Sequence, residues 1–110
     1  MQTTRLPDLV DQLIATAREA HSGRAAHTLH GNSAHHLRQT VIALTAGNSL
    51  SDHESTHEAS LQVLRGRVTL TTTADLDWIG VAGDLVIVPN SRQGLVAQDD
   101  SAVLLTVLTG

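Results

Sequence analysis

The sequence predicts an all-β domain, a sandwich or barrel of short strands, preceded by one amphipathic helix. Three observations point there. From Arg24 onward the apolar residues change from helical spacing to a period of two. Segments around 25–30, 38–46, 60–65, 67–73, 84–89, 92–97 and 101–108 each carry β-branched or Leu residues, bounded by Gly, Asn, Asp or Ser. The apolar residues make up 41% of the chain and are almost all Ala, Val, Leu and Ile, with no Phe or Tyr and one Trp, Trp78. That makeup suits a small β core. At 110 residues the chain fits one domain, read as a lead-in over 1–24 and a barrel over 25–110.

The helix is expected over 7–22. Pro7 suits its first position and Gly23 the residue after its last turn. Leu9, Val10, Leu13, Ile14 and Ala17 form one apolar stripe, which must be buried on the domain or on a second copy of it. Further on, Arg65-Gly66-Arg67 stands between two apolar runs and reads as a tight hairpin. Asp84 to Val88 reads as a buried strand stopped by the turn signal Pro89-Asn90.

Composition excludes several chemistries. All seven basic side chains are Arg, and Cys and Tyr are absent. Schiff bases, thiolate nucleophiles, disulfides and phenolic acids therefore drop out, leaving His, Asp and Glu for any acid–base work. A net charge of −4 without a basic cluster argues against nucleic acid. No segment is apolar for long enough to span a bilayer and no secretory pattern opens the chain, so no membrane partner and a cytoplasmic location are expected.

The stretch Gly47 to Gly94 resembles the two motifs of the cupin superfamily, the RmlC-type jelly rolls. Gly47, Asn48 to Asp52 and His53 match the start of the first motif, and Ser60 to Arg65 followed by Gly66 match its end. Gly83, Asp84 to Val88 and Pro89 match the first half of the second. The closing runs LQVLRGRV, AGDLVIVP and DSAVLLTV are similar to small actinobacterial cupin-like proteins without an assigned activity. The resemblance implies a single-domain jelly-roll β-barrel behind the helix. It also implies three His and one Glu as metal ligands, and only His53 stands at such a position. Ser55 and Ala59 replace the second His and the Glu, while the third His falls on Gly94 by strict count or on Gln93 with a turn one residue shorter.

Among the seven His, the string His53-Glu54-Ser55-Thr56-His57 matches H-E-x-x-H, which on a helix would hold zinc. The apolar run Leu61 to Leu64 is better used as a strand, so a zinc hydrolase is the remote alternative. A barrel-borne divalent metal on His53, His57 and Glu54 is the nearer one, and it would need a bend at Glu54 to Thr56. His27 and His30, three apart, fall on opposite faces of a strand, and His21, His35 and His36 read as solvated.

Gln93, Gln62, Arg38 and Trp78 complete the candidate ligand-binding set with His53. Gln62 alternates with Leu61 and Val63 and faces out if those face the core. Trp78 fills core or lines the barrel mouth. Taken together, the sequence favours a homodimeric cupin-like protein that binds a small ligand or acts in regulation. The usual metal centre and any cofactor are not expected. The alternative is a metal-dependent oxygenase or isomerase built on His53 with nonstandard partners.

Overall fold

The computed structural model describes residues 1–54, 57–73 and 76–109, with residues 51–54 described by their backbone alone. One helix, α1 (Leu6–Glu19), is followed by nine strands. They are β1 (Arg24–His30), β2 (Leu37–Leu44), β3 (Ser49–Glu54), β4 (Glu58–Arg65), β5 (Arg67–Thr72), β6 (Trp78–Val81), β7 (Leu85–Val88), β8 (Arg92–Ala97) and β9 (Ser101–Leu108). All pair antiparallel, in a five-stranded sheet of order β1-β2-β9-β4-β7 and a four-stranded sheet of order β3-β8-β5-β6.

The two sheets close face to face because alternate residues of their strands are apolar. Leu44, Leu61, Val63, Val88 and Val103 from the first sheet meet Val68, Leu70, Leu95 and Ala97 from the second in one buried cluster. The residues in between point outward, and on β2 and β9 those are apolar too. Val41, Ala43 and Ala102 bury Val10, Ile14 and Ala17 of α1. Alanines at 43 and 102 let the helix lie close to the sheet. The stripe read from the sequence is thus covered by the chain's own barrel.

The helix stops three residues short of the expected 22. Ala20 turns to extended backbone, its N–H bonding the carbonyls of Thr16 and Ala17 at 3.1 and 3.2 Å. Gly23, with φ +67°, then makes the turn into β1, where a side chain would run into Asn48.

Gly66 is not a hairpin. β4 and β5 belong to different sheets and share no ladder, so Gly66 is a corner that carries the chain across the barrel. One residue is too few for a paired two-residue turn. A Cβ there would fall 2.6 Å from the Asp100 carbonyl oxygen, and its φ of +85° favours glycine. Ser101 reinforces this corner, its Oγ donating toward the Arg67 and Asp99 carbonyls and accepting from the Arg67 N–H at 3.0 Å.

β3 and β6 are further strands that the period-two reading did not include. β3 is polar (SLSDHE), and β6 is four residues long with Gly80 inside it. A bulge between Thr28 and His30 also changes the faces of β1: His27 pairs with Val41 and His30 with Gln39, two positions on one side of β2. The two histidines therefore share a face, and His30 stacks on His35 with ring centroids 4.4 Å apart.

Asp100 latches the helix to the barrel. Its carboxylate accepts from the Ala46 N–H at 2.9 Å and from Arg18 Nε at 2.7 Å. The backbone hydrogen bond, then the guanidinium, hold its pKa below the ordinary 3.8. A carboxylate whose folded pKa is depressed stabilises the fold above its unfolded value, and that contribution is lost as pH falls through the folded one. The side chain is about a third exposed, so solvent screens the pair. Asp100→Asn is expected to lower stability by about 1 kcal/mol at neutral pH. Urea titrations should show the difference from the parent shrinking below pH 4. By contrast, Ile14→Ala, beneath the helix, should cost about 2–4 kcal/mol at any pH.

Candidate functional site

The strand ends Glu54 of β3, Glu58 of β4, Thr72 of β5, Trp78 of β6, Val88 of β7 and Arg92 of β8 gather at one end of the barrel. Just inside that end lies a cavity of about 40 Å³. Ile42, Leu50, Leu61, Leu70, Leu95 and Leu105 form most of its wall, and Gln93 is its polar member. A volume on this scale holds a few water-sized groups.

Gln93 is 6% exposed, which is costly for an amide unless it is satisfied. Its Nε2 donates to the Pro89 carbonyl at 2.8 Å and the Ser91 carbonyl at 3.2 Å. The side chain thereby ties down the β7–β8 turn from inside. Its neighbour across the ladder, Thr72, has its hydroxyl 2.5 Å from that of Ser91, a second tie on the same turn.

Register decides between the two positions at which the resemblance places its last histidine. Gln93, Leu95 and Ala97 pair with Thr72, Leu70 and Val68, whose last two members are core residues. Gln93 therefore shares the inward face, and Gly94 is the residue between. Ala59 is likewise inward, in step with Leu61 and Val63 and packed against the core. It offers a methyl group where the cupin pattern offers a carboxylate. At these two positions Ala59 has no donor atom, and Gln93 puts an amide in place of an imidazole, its Nε2 donating to backbone carbonyls.

The backbone of His53 is paired with Gln93 and that of Glu54 with Arg92. Their side chains, together with Ser55 and Thr56, lie outside the described residues. The strand assignment nevertheless corrects the H-E-x-x-H reading, since His53 and Glu54 belong to β3 and no helix presents them. His57 is exposed and borders an open cleft of about 410 Å³ on the outer surface, with Glu58, Ser60 and Ile87. Among the described residues, no three His, Cys, Asp or Glu stand close enough to hold a metal ion.

The remaining candidates are not brought together. Gln62 lies opposite Leu85 and Leu104, on the outward face of the first sheet, because Leu61 and Val63 take the core. Arg38 is exposed near the start of β2 and rests against Gly31. Trp78 folds down its own strand onto Gly80, where a Cβ would overlap the ring, and packs against the core. It serves as filling. The outward place of Gln62 and the inward place of Ala59 both follow from alternation with Leu61 and Val63.

No protein-family model and no curated protein matches the chain. Solved structures do. A conserved protein of unknown function from Streptococcus pyogenes is similar with a TM-score of 0.73 at 22% identity, over 83% of this chain and 78% of that one. A cupin superfamily protein from Desulfitobacterium hafniense gives 0.72 at 17%, over 79% and 78%. A cupin-2 domain protein from Shewanella frigidimarina gives 0.70 at 10%, over 96% and 93%. The fold is that of the RmlC-like cupins. At these identities the likeness extends to the architecture and not to an activity.

In this cupin barrel the Gln93 ties are structural. Gln93→Leu is expected to leave two turn carbonyls without their donor and to cost about 1–3 kcal/mol in thermal or urea unfolding. Gln93→His, which keeps a ring N–H but not the amide geometry, should recover only part of that loss.

Proposed function

We propose that this cupin-fold protein binds a small, largely apolar ligand at the Gln93 end of its barrel and does so without a metal centre. The observation that carries the reading is the Gln93 side chain. It occupies an inward position that the cupin pattern gives to a ligating His, and its Nε2 donates to the Pro89 and Ser91 carbonyls. Ala59, with no donor atom, supports the same conclusion.

Leu and Ile walls reward burial of apolar surface at about 25 cal/mol per Å². Gln93 is the polar residue in the cavity wall. Among its described lining residues the cavity has no nucleophile or general base. Regulation by an occupied-or-empty barrel is one use of such a site.

Two measurements test this. Protein purified without an affinity tag should contain far less than one iron, manganese, nickel or zinc per chain, unchanged by His53→Ala. Stoichiometric metal that disappears in the variant would establish the metal-dependent alternative instead. Screening small apolar fragments should give compounds that raise the melting temperature and shift Trp78 emission, the chain's single Trp. Ile42→Phe, which fills the cavity, should abolish both responses; fragments that bind it unchanged would place the ligand elsewhere.

A further inference from the structure

The outer surface of the four-stranded sheet carries an open cleft of about 300 Å³, bordered by Arg67, Thr69, Ile79, Gln98 and Asp99. Alternation puts the first three there. Val68 and Leu70 take the core, so Arg67 and Thr69 face out, and their ladder partners Val81 and Ile79 face out beside them. Gln98 and Asp99 follow the end of β8, where the chain turns toward β9.

The base of the cleft is held by backbone. Arg67 donates its N–H to Ser101 Oγ at 3.0 Å, and its carbonyl accepts from Ser101 Oγ at 3.1 Å and from the Gln98 N–H at 2.8 Å. Gln98 Nε2 donates to Thr69 Oγ1 at 3.0 Å, which leaves the threonine O–H to donate elsewhere. Groups carried on a fixed backbone keep their spacing when a ligand arrives.

Charge distinguishes this cleft. Arg5, Arg18 and Arg65 pair with Asp8, Asp100 and Asp11. Arg67 and Asp99 border one cleft with opposite charges, yet among the described residues neither is in an ion pair.

We propose that this cleft binds a free α-amino acid with an apolar side chain. Its carboxylate would lie on Arg67 and Thr69, its ammonium on Asp99 and its side chain against Ile79. A guanidinium offers a carboxylate two parallel N–H donors, and a carboxylate accepts from an ammonium. A simple anion would meet Asp99 and a metal cation would meet Arg67, so the site favours a ligand that carries both signs. Ile79, 55% exposed, supplies the apolar wall. A cleft of about 300 Å³ stands at the small end of ligand sites, which suits a single amino acid. Exposed charges contribute little each, so the dissociation constant should be on the order of 1 mM.

Titration of the full chain with L-leucine, followed by amide-resolved NMR, tests this. The amides of Thr69, Ile79 and Gln98 should shift saturably. Isocaproate, which lacks the ammonium, and isoamylamine, which lacks the carboxylate, should each bind about fivefold more weakly, the worth of one exposed charge contact. Arg67→Gln and Asp99→Asn should each weaken leucine binding by a similar factor. Ile42→Phe, inside the barrel, should leave it unchanged, which keeps this site distinct from the interior cavity. No saturable shift up to tens of millimolar leucine, isocaproate binding as tightly as leucine, or unchanged affinity in both charge variants would overturn the inference. Arg67 and Asp99 are exposed, so their variants should keep the parent's melting temperature, and lost binding then reports on the cleft and not on folding.

Discussion

Strands β2 and β9 are buried on both faces, and most of the architecture follows from that constraint. Along β2, Ile42 and Leu44 belong to the barrel core, while Val41 and Ala43 belong to the helix interface. Along β9, Val103 and Leu105 point one way, and Ala102 and Leu104 the other. A slip of one residue in their shared register would exchange the two sets. It would push Leu44 against α1, where there is room for Ala43, and leave alanine in the core. The pairing of Val41 with Leu104 and of Ile42 with Val103 is therefore fixed by volume on both sides. The helix is as much a part of this register as the opposite sheet.

Much of the fold is legible because period-two alternation is a local property. The runs in β4, β7, β8 and β9 state their own spacing, and Gly83-Asp84 states its own turn. Gly83 takes φ +96°, and the Asp84 carboxylate accepts from the Val81 N–H at 2.9 Å. What alternation does not carry is sheet membership. Arg65-Gly66-Arg67 looks like a hairpin because two apolar runs meet at a glycine, yet the partner that shapes Gly66 is the Asp100–Ser101 backbone, more than thirty residues away. The faces of His27 and His30 were misjudged for a related reason. A bulge adds one residue to the count, and nothing in RAAHTLH marks it.

The candidate site divides along the same line. Ala59 was readable as inward from its neighbours. Gln93 was not placed by counting, because the length of the turn after Pro89 decides whether Gln93 or Gly94 faces the core. That turn is held by the Gln93 amide itself, so the residue in question sets the geometry that counting needed. Gln62 faces out as its alternation with Leu61 and Val63 implies, whereas Arg38 and Trp78 entered as candidates on residue type. Their positions depend on which strand end and which nearby glycine they meet, and those are tertiary facts.

The absence of Phe and Tyr bears on both the core and the site. With Trp78 as the single large ring, this barrel reaches close packing through Leu and Val, whose shapes interdigitate and leave about 40 Å³ beside Gln93. An aromatic-lined barrel can open a broad flat pocket by turning rings aside. Branched aliphatic side chains fixed on strands have fewer such motions. The proposed ligand would therefore have to match an existing volume. The same packing explains how a barrel can keep its shape with Ala59 and Gln93 in the inward positions. Coordination is not needed to hold the sheets together where apolar contact already does, and the polar residue that remains is satisfied by its own turn.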